Sequence, residues 1–187
     1  MTTFQRYWIT TLLVLTSSYA SIALGDTLLA TGSSILLIDA STNESQTFIA
    51  SAGGGMFYEE DSEKLYFTGS SNSIQRSDRD GSNITTIIAN VGGAIGDLVV
   101  DTENSRIIWT QPQDSVIRSS DLDGGNISVL VNGASFAQGL AIDQTNGKLY
   151  WTGPGSIESS NLDGSSQSEV LWDDDNFGTY FNLVLNE

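Results

Sequence analysis

Gln138-Gly139-Leu140-Ala141-Ile142-Asp143, followed by Asn146-Gly147-Lys148-Leu149-Tyr150-Trp151-Thr152 and then Ser160-Asn161-Leu162-Asp163-Gly164, is one copy of a repeat. Its central segment recurs as Arg106-Ile107-Ile108-Trp109-Thr110 and as Lys64-Leu65-Tyr66-Phe67-Thr68, so three copies begin at a constant spacing of 42 residues. Each is preceded by an alternating segment that ends in an acid, Glu59, Asp101 or Asp143. Each is followed by an isoleucine, Ile74, Ile117 or Ile157, and then by a polar turn. Those turns are Asp78-Arg79-Asp80-Gly81, Asp121-Leu122-Asp123-Gly124 and Asn161-Leu162-Asp163-Gly164, and a further β-rich run follows each of them. The unit is four short strands, named A to D here, in about 42 residues.

A degraded copy lies upstream. Leu28-Leu29-Ala30-Thr31 aligns with strand B, residues 35–39 with strand C and residues 46–49 with strand D, while an A strand is missing. Downstream, Asn182-Leu183-Val184-Leu185-Asn186 reads as a lone A strand. Helical periodicity is absent after the first 25 residues, and short strands between Gly, Asn, Asp and Ser turns predict an all-β chain. Four strands per unit at this period predict a β-propeller of about four blades. Because the two incomplete ends are complementary, residues 183–185 are expected to pair with residues 27–31 and close a four-bladed ring. The alternative is an open arc, a partial six-bladed propeller.

These residues resemble the YWTD, or class B, repeat of low-density lipoprotein receptors, over essentially all of residues 27–187. The resemblance implies an extracellular propeller, usually six-bladed, that binds proteins and catalyses nothing. The chain departs from the pattern in two respects, the first being that the Asp that closes the motif is replaced by Gly69, Gln111 and Gly153. Its inter-blade contact must be made otherwise. The Cys-rich modules that flank such propellers in receptors are also absent, because the chain has no Cys.

Composition narrows the chemistry. The 187 residues include 23 acids, 7 bases, no His and no Cys, for a formal charge of -16. Thiolate and imidazole catalysis, thiolate or imidazole zinc sites and disulfides are thereby excluded. Nucleic acid is excluded as a partner too, since phosphate binding needs a basic footprint. Residues 1–25 hold one charge, Arg6, an apolar stretch over residues 8–15 and small residues up to Gly25, the pattern of a cleaved secretory signal peptide. Thr10, Thr11, Thr16, Ser17 and Ser18 interrupt it, so it is a poor membrane span. Residues 26–187 are then the propeller domain of a secreted protein with no span of its own.

Topology also assigns faces. In an antiparallel blade the A-B and C-D turns share one face, and the B-C turns and D-to-A connections share the other. Asn43, Asn83 and Asn126 each begin an N-glycosylation sequon in a C-D turn, so sugars would crowd that face. The opposite face is the expected binding surface, with Asp114 and the run Asp173, Asp174 and Asp175 as candidates to meet a basic or neutral protein or peptide. No cofactor is expected; Ca2+ is the ion that the acidic run would hold through its carboxylate oxygens. The Asp-x-Asp-Gly turns lack EF-hand ligand spacing and read as hairpins. Two functions follow: a non-catalytic binding module, and, less favoured, a metal-dependent lactonase or hydrolase using Glu59, Asp101 and Asp143. Those acids more simply accept hydrogen bonds from the turn after each.

Overall fold

The computed structural model describes residues 12–14, 27–30, 33–39, 42–172 and 183. Sixteen strands form four antiparallel sheets, each in simple meander order. Blade 1 is β1 (Leu12–Val14), β2 (Thr27–Ala30), β3 (Ser34–Ile38) and β4 (Ser45–Ala50). Blade 2 is β5 (Ala52–Glu59), β6 (Lys64–Gly69), β7 (Ser73–Asp78) and β8 (Thr85–Ile88). Blade 3 is β9 (Leu98–Asp101), β10 (Arg106–Gln111), β11 (Val116–Asp121) and β12 (Ser128–Asn132). Blade 4 is β13 (Leu140–Asp143), β14 (Lys148–Gly153), β15 (Ser156–Asn161) and β16 (Ser168–Trp172). The expected register holds: Lys64, Arg106 and Lys148 pair back to Glu59, Asp101 and Asp143.

Two expectations about the chain ends are corrected. Blade 1 does have an A strand, and it comes from the segment read as a leader: Leu12, Leu13 and Val14 pair with Leu29, Leu28 and Thr27. An unpaired inner edge on β2 would leave backbone N–H and C=O groups without ladder partners, and a short extended segment from just upstream can reach it. That edge was expected to receive residues 183–185. Leu183 is in no strand, and residues 184 and 185 lie outside the described residues, as does the acidic run Asp173, Asp174 and Asp175. The described blades form an open arc.

Packing follows strand alternation. One apolar cluster joins blades 1 and 2 through Leu28, Ile35, Ile49, Leu65 and Phe67. A second joins blades 2 and 3 through Tyr66, Ile74, Ile88, Ile107 and Trp109. A third joins blades 3 and 4 through Ile108, Ile117, Val131, Leu149 and Trp151. Neighbouring residues of strand B thus serve opposite seams, as period-two geometry requires. The paired aromatics are core, with one exception: Tyr150 is half-buried, because among the described residues no blade follows it.

Each D strand carries a bulge at the same place. The register shifts after Ile35, Ile74, Ile117 and Ile157, leaving Phe48, Ile87, Leu130 and Val170 as the extra residues. The bulge residue then meets the C-D turn of the next blade. A Cβ on Gly81 would lie 3.2 Å from Phe48, one on Gly124 2.6 Å from the Ile87 carbonyl oxygen, and one on Gly164 2.0 Å from the Leu130 carbonyl oxygen. These turn glycines also have φ of +77°, +85° and +81°. Gly is needed twice over, for left-handed backbone and for room. Gly164→Ala is therefore expected to lower stability by about 1–3 kcal/mol, the range for strain plus overpacking. Denaturant unfolding measures it, and a change under about 0.5 kcal/mol would show that the turn yields.

Candidate functional site

The structure places the B-C turns and the D-to-A connections on one face. Val91 N–H donates to the Asn72 carbonyl at 3.0 Å, and the Gln111 side chain donates to the Val91 carbonyl at 3.4 Å. Asp114 stands on this face, exposed. The three sequon asparagines stand on the other, in left-handed backbone at φ of 59°, 52° and 52° for Asn43, Asn83 and Asn126. Two of them hold their turns closed: Asn83 Nδ2 donates to Asp78 at 2.7 Å and Asn126 Nδ2 to Asp121 at 2.6 Å.

The recurrent acids are turn caps. Glu59 accepts the Asp61 and Ser62 N–H groups, each at 2.9 Å, and the Ser62 hydroxyl. Burial pushes its carboxyl up, but these hydrogen bonds outweigh burial and hold it below the ordinary value. Asp143 accepts the Asn146 side chain at 2.8 Å and the Asn146 N–H at 2.9 Å, which hold its carboxyl low. Asp101 is fully buried and accepts from Asn104 and, at 2.8 Å, from Arg106 Nε. Arg106 also donates to the Leu162 carbonyl of the next blade. Among the described residues no three carboxylates converge on a common point. On the sequon face a cleft of about 450 Å³ opens between blades 2 and 3, lined by Glu59, Lys64, Tyr66, Arg76, Val100 and Leu122. One of its two cations sits over an aromatic ring, Arg76 being 6.0 Å from the Tyr66 centroid.

At the inner strands, the threonine of each repeat has a job that its sequence position did not reveal. Thr68, Thr110 and Thr152 use Oγ1 to accept the N–H of Gly55, Asp97 and Gly139, at 3.3, 2.9 and 2.9 Å. Asp97 stands where the other blades have glycine. Its carboxylate accepts the N–H of Leu98 at 2.8 Å and, across the seam, that of Leu140 at 3.1 Å. It lies beside Gly55 of the preceding blade, whose Cβ would be 3.2 Å from Asp97 Oδ1. Asp97 thus supplies an inter-blade tie in a chain whose motifs end in Gly69, Gln111 and Gly153. Among the described residues no cation offsets it, and burial pushes its carboxyl up to about 7 despite both backbone donors.

Sequence reasoning also missed Phe136. It lies in the D-to-A connection before blade 4, 56% exposed, between Ala134 and Ala137, which are fully buried. The Ala137 N–H donates to the Ala134 carbonyl at 3.3 Å, and Phe136 has φ of +48°. A non-glycine aromatic in left-handed backbone, held outward by two buried neighbours, is a strained and solvent-facing feature. The only sequence signal was its contrast with Ala94, which occupies the same place one repeat earlier.

Four meander sheets packed face to face through their B strands define a β-propeller chain, whose described blades form an open arc. Solved structures agree. A chain in a crystal structure of a nidogen/laminin complex matches with a TM-score of 0.70 at 25% identity, over 80% of this chain and 62% of that one. A calcium-binding protein, regucalcin, from Agrobacterium tumefaciens str. C58 matches with a TM-score of 0.61 at 15% identity, over 80% of this chain and 58% of that one. A protein of unknown function from Bacteroides thetaiotaomicron VPI-5482 matches with a TM-score of 0.61 at 16% identity, over 78% of this chain and 44% of that one. The chain spans less than two thirds of each of these. No protein-family profile matches it, and no curated protein matches it in sequence. Among the described residues no helix is long and apolar enough to cross a membrane.

Proposed function

We propose that this chain is a secreted, non-catalytic binding module that recognises a neutral or basic protein or peptide across the face formed by its B-C turns and D-to-A connections. Phe136 carries the reading. An exposed aromatic held in a costly backbone conformation has no packing purpose, whereas aromatic anchors dominate the energetics of protein interfaces. The neighbouring loops bring Asp114 and other polar groups to the same face, and the net charge of -16 favours encounter with cations. The similarity to a chain of a nidogen/laminin complex supports a protein ligand. Secretion rests on the signal-peptide pattern of residues 1–25.

The test is surface binding of laminin and of a lysine-rich peptide to the secreted protein. Phe136→Ala is expected to weaken binding at least about tenfold, as for an interface anchor. Phe136→Gly is expected to do the same while raising stability by about 1 kcal/mol, because glycine relieves the left-handed backbone. The association rate is expected to fall as salt rises, with screening over about 10 Å at 0.1 M. Unchanged binding by Phe136→Ala, or a footprint centred on Asn83 and Asn126, would overturn the reading.

A further inference from the structure

Asparagine or aspartate followed by glycine is where a polypeptide can modify itself, because glycine has no side chain to keep its amide nitrogen away from the preceding side-chain carbonyl. This chain has five such steps: Asp80-Gly81, Asp123-Gly124, Asn132-Gly133, Asn146-Gly147 and Asp163-Gly164. Reaction needs two groups free at once, the side-chain carbonyl that is attacked and the glycine N–H that attacks. Four of the steps hold both. In the C-D turns the Gly81, Gly124 and Gly164 N–H groups donate to the Asp78, Asp121 and Asn161 carbonyls at 3.0, 2.9 and 2.9 Å. The aspartates before them, Asp80, Asp123 and Asp163, accept the N–H of Ser82, Gly125 and Ser165, each at 2.9 Å. In the A-B turn of blade 4 the Gly147 N–H donates to the Gln144 carbonyl at 3.2 Å, and Asn146 is tied to Asp143 through both its side chain and its own N–H.

Asn132-Gly133 is the exception. Among the described residues no hydrogen bond holds the Asn132 side chain or the Gly133 N–H. Both residues are exposed, while Val131 and Ala134 on either side are fully buried. A Cβ on Gly133 would meet nothing within 4 Å. Asn132 ends β12 and its ladder partner Val116 begins β11, so the Cα–C bond of Asn132, about which the ring must close, is the first bond past the ladder. Exposure alone does not set this step apart, since Asn146 is exposed as well. The hydrogen bonds do.

We propose that Asn132 is a site of spontaneous deamidation on the face formed by the B-C turns and D-to-A connections. The Gly133 nitrogen bonds to Asn132 Cγ and gives up its proton, the Cγ–Nδ2 bond breaks, and ammonia departs with that proton, leaving a five-membered imide. Water then adds to one of the two imide carbonyls and breaks its bond to the Gly133 nitrogen, which takes a proton back. Opening at Cγ leaves aspartate. Opening at the backbone carbonyl leaves isoaspartate, in which the main chain runs through the former side chain. One water is consumed and one ammonia released in either case. Both products add a carboxylate to the connection that carries Phe136, and the second also lengthens the backbone there by one methylene. The chemistry needs no partner, so it stands apart from any ligand of this face.

Peptide mapping by mass spectrometry, on the folded protein aged in neutral buffer, tests the proposal. The peptide spanning position 132 is expected to gain the mass difference between a hydroxyl and an amino group and to split into two products, aspartate and isoaspartate. Conversion there is expected to run at least about tenfold ahead of that at Asn146, where hydrogen bonds must open first. In denaturant, where no fold holds either step, the two asparagines are expected to convert at similar rates. Asp143→Ala removes the tie on Asn146 and is expected to speed conversion at Asn146 while leaving Asn132 unchanged; an Asp123 that stays unreacted shows that this variant is folded. Asn132→Gln, whose longer side chain would need a six-membered ring, is expected to remove most of the ammonia release from the folded protein. An Asn132 that stays intact in the folded protein while converting in denaturant would overturn the proposal. So would an Asn146 that converts as fast as Asn132 in the folded protein, or one that is no faster in Asp143→Ala.

Discussion

Trp109→Ala is expected to lower stability by about 3–5 kcal/mol, the range for removing a fully buried large aromatic. Trp109 has no solvent exposure and fills the seam between blades 2 and 3, against Tyr66, Ile74, Ile88, Leu98 and Val100. The loss should also divide the molecule. In an arc of blades each unit contacts only its neighbours, so weakening one seam uncouples the blades on either side. Urea unfolding followed by far-UV circular dichroism should change from one transition to two. Trp109→Phe gives the contrast. The buried indole N–H of Trp109 has no hydrogen-bond partner, so phenylalanine removes an unsatisfied donor along with some volume. Its cost is expected below about 1.5 kcal/mol, within a single transition. Equal losses for the two variants would mean that volume in this seam does not matter in the way the packing implies.

The second large effect is a pH dependence that originates in one side chain. Asp97 is buried with no cation beside it among the described residues, and its carboxyl is pushed up to about 7 from an ordinary value of 3.8. A folded-state value above the unfolded one means that folding takes up a proton in the window between them. The associated stability is fully present below about 4 and is lost as pH rises through 7. At 1.36 kcal/mol per pH unit, the loss reaches about 4 kcal/mol. Asp97→Asn removes the titration. At pH 4 the Asp97 carboxyl is itself neutral and, like asparagine, offers one good acceptor to the Leu98 and Leu140 N–H groups, so the two proteins are expected to be similarly stable there. The variant is then expected to gain on the wild type by several kcal/mol between pH 4 and 8. General repulsion among the other acids affects both proteins alike and cancels in the difference. Denaturant titrations at four or five pH values give that difference directly, and two parallel stability curves would show that Asp97 does not titrate in this window.

Most of the fold was legible because the repeat fixes a register that has physical consequences. The constant interval between Lys64, Arg106 and Lys148 located three B strands, alternation then assigned Tyr66 and Phe67 to opposite seams, and the placement of turns on two faces followed from antiparallel connectivity. The roles of Glu59 and Asp143 were legible too, since an acid two or three residues before a polar turn has backbone donors within reach. Long-range features were not. The pairing of Leu12–Val14 with β2 was not legible, because a short apolar run carries no local mark of its partner strand. Asp97 differed from Gly55 and Gly139 in plain view, but its reach to Leu140 is a property of two blades meeting. Phe136 differed from Ala94 one repeat earlier, but its outward, positive-φ placement could not be read from the sequence, because the buried alanines around it impose it.

The bulges after Ile35, Ile74, Ile117 and Ile157 bear on a hazard that every such architecture carries. Each blade ends in an outermost strand with one row of backbone groups facing solvent, so four edges are offered to any passing chain that could add a strand. A flat edge of that kind is a template for fibrils. An extra residue in the middle of the edge strand bends it, increases its local twist and interrupts the regular row of donors and acceptors. Phe48, Ile87, Leu130 and Val170 therefore guard the perimeter. In a chain with no cysteine to form a disulfide, that protection is built into the backbone itself and does not depend on the charge, pH or salt of the surroundings.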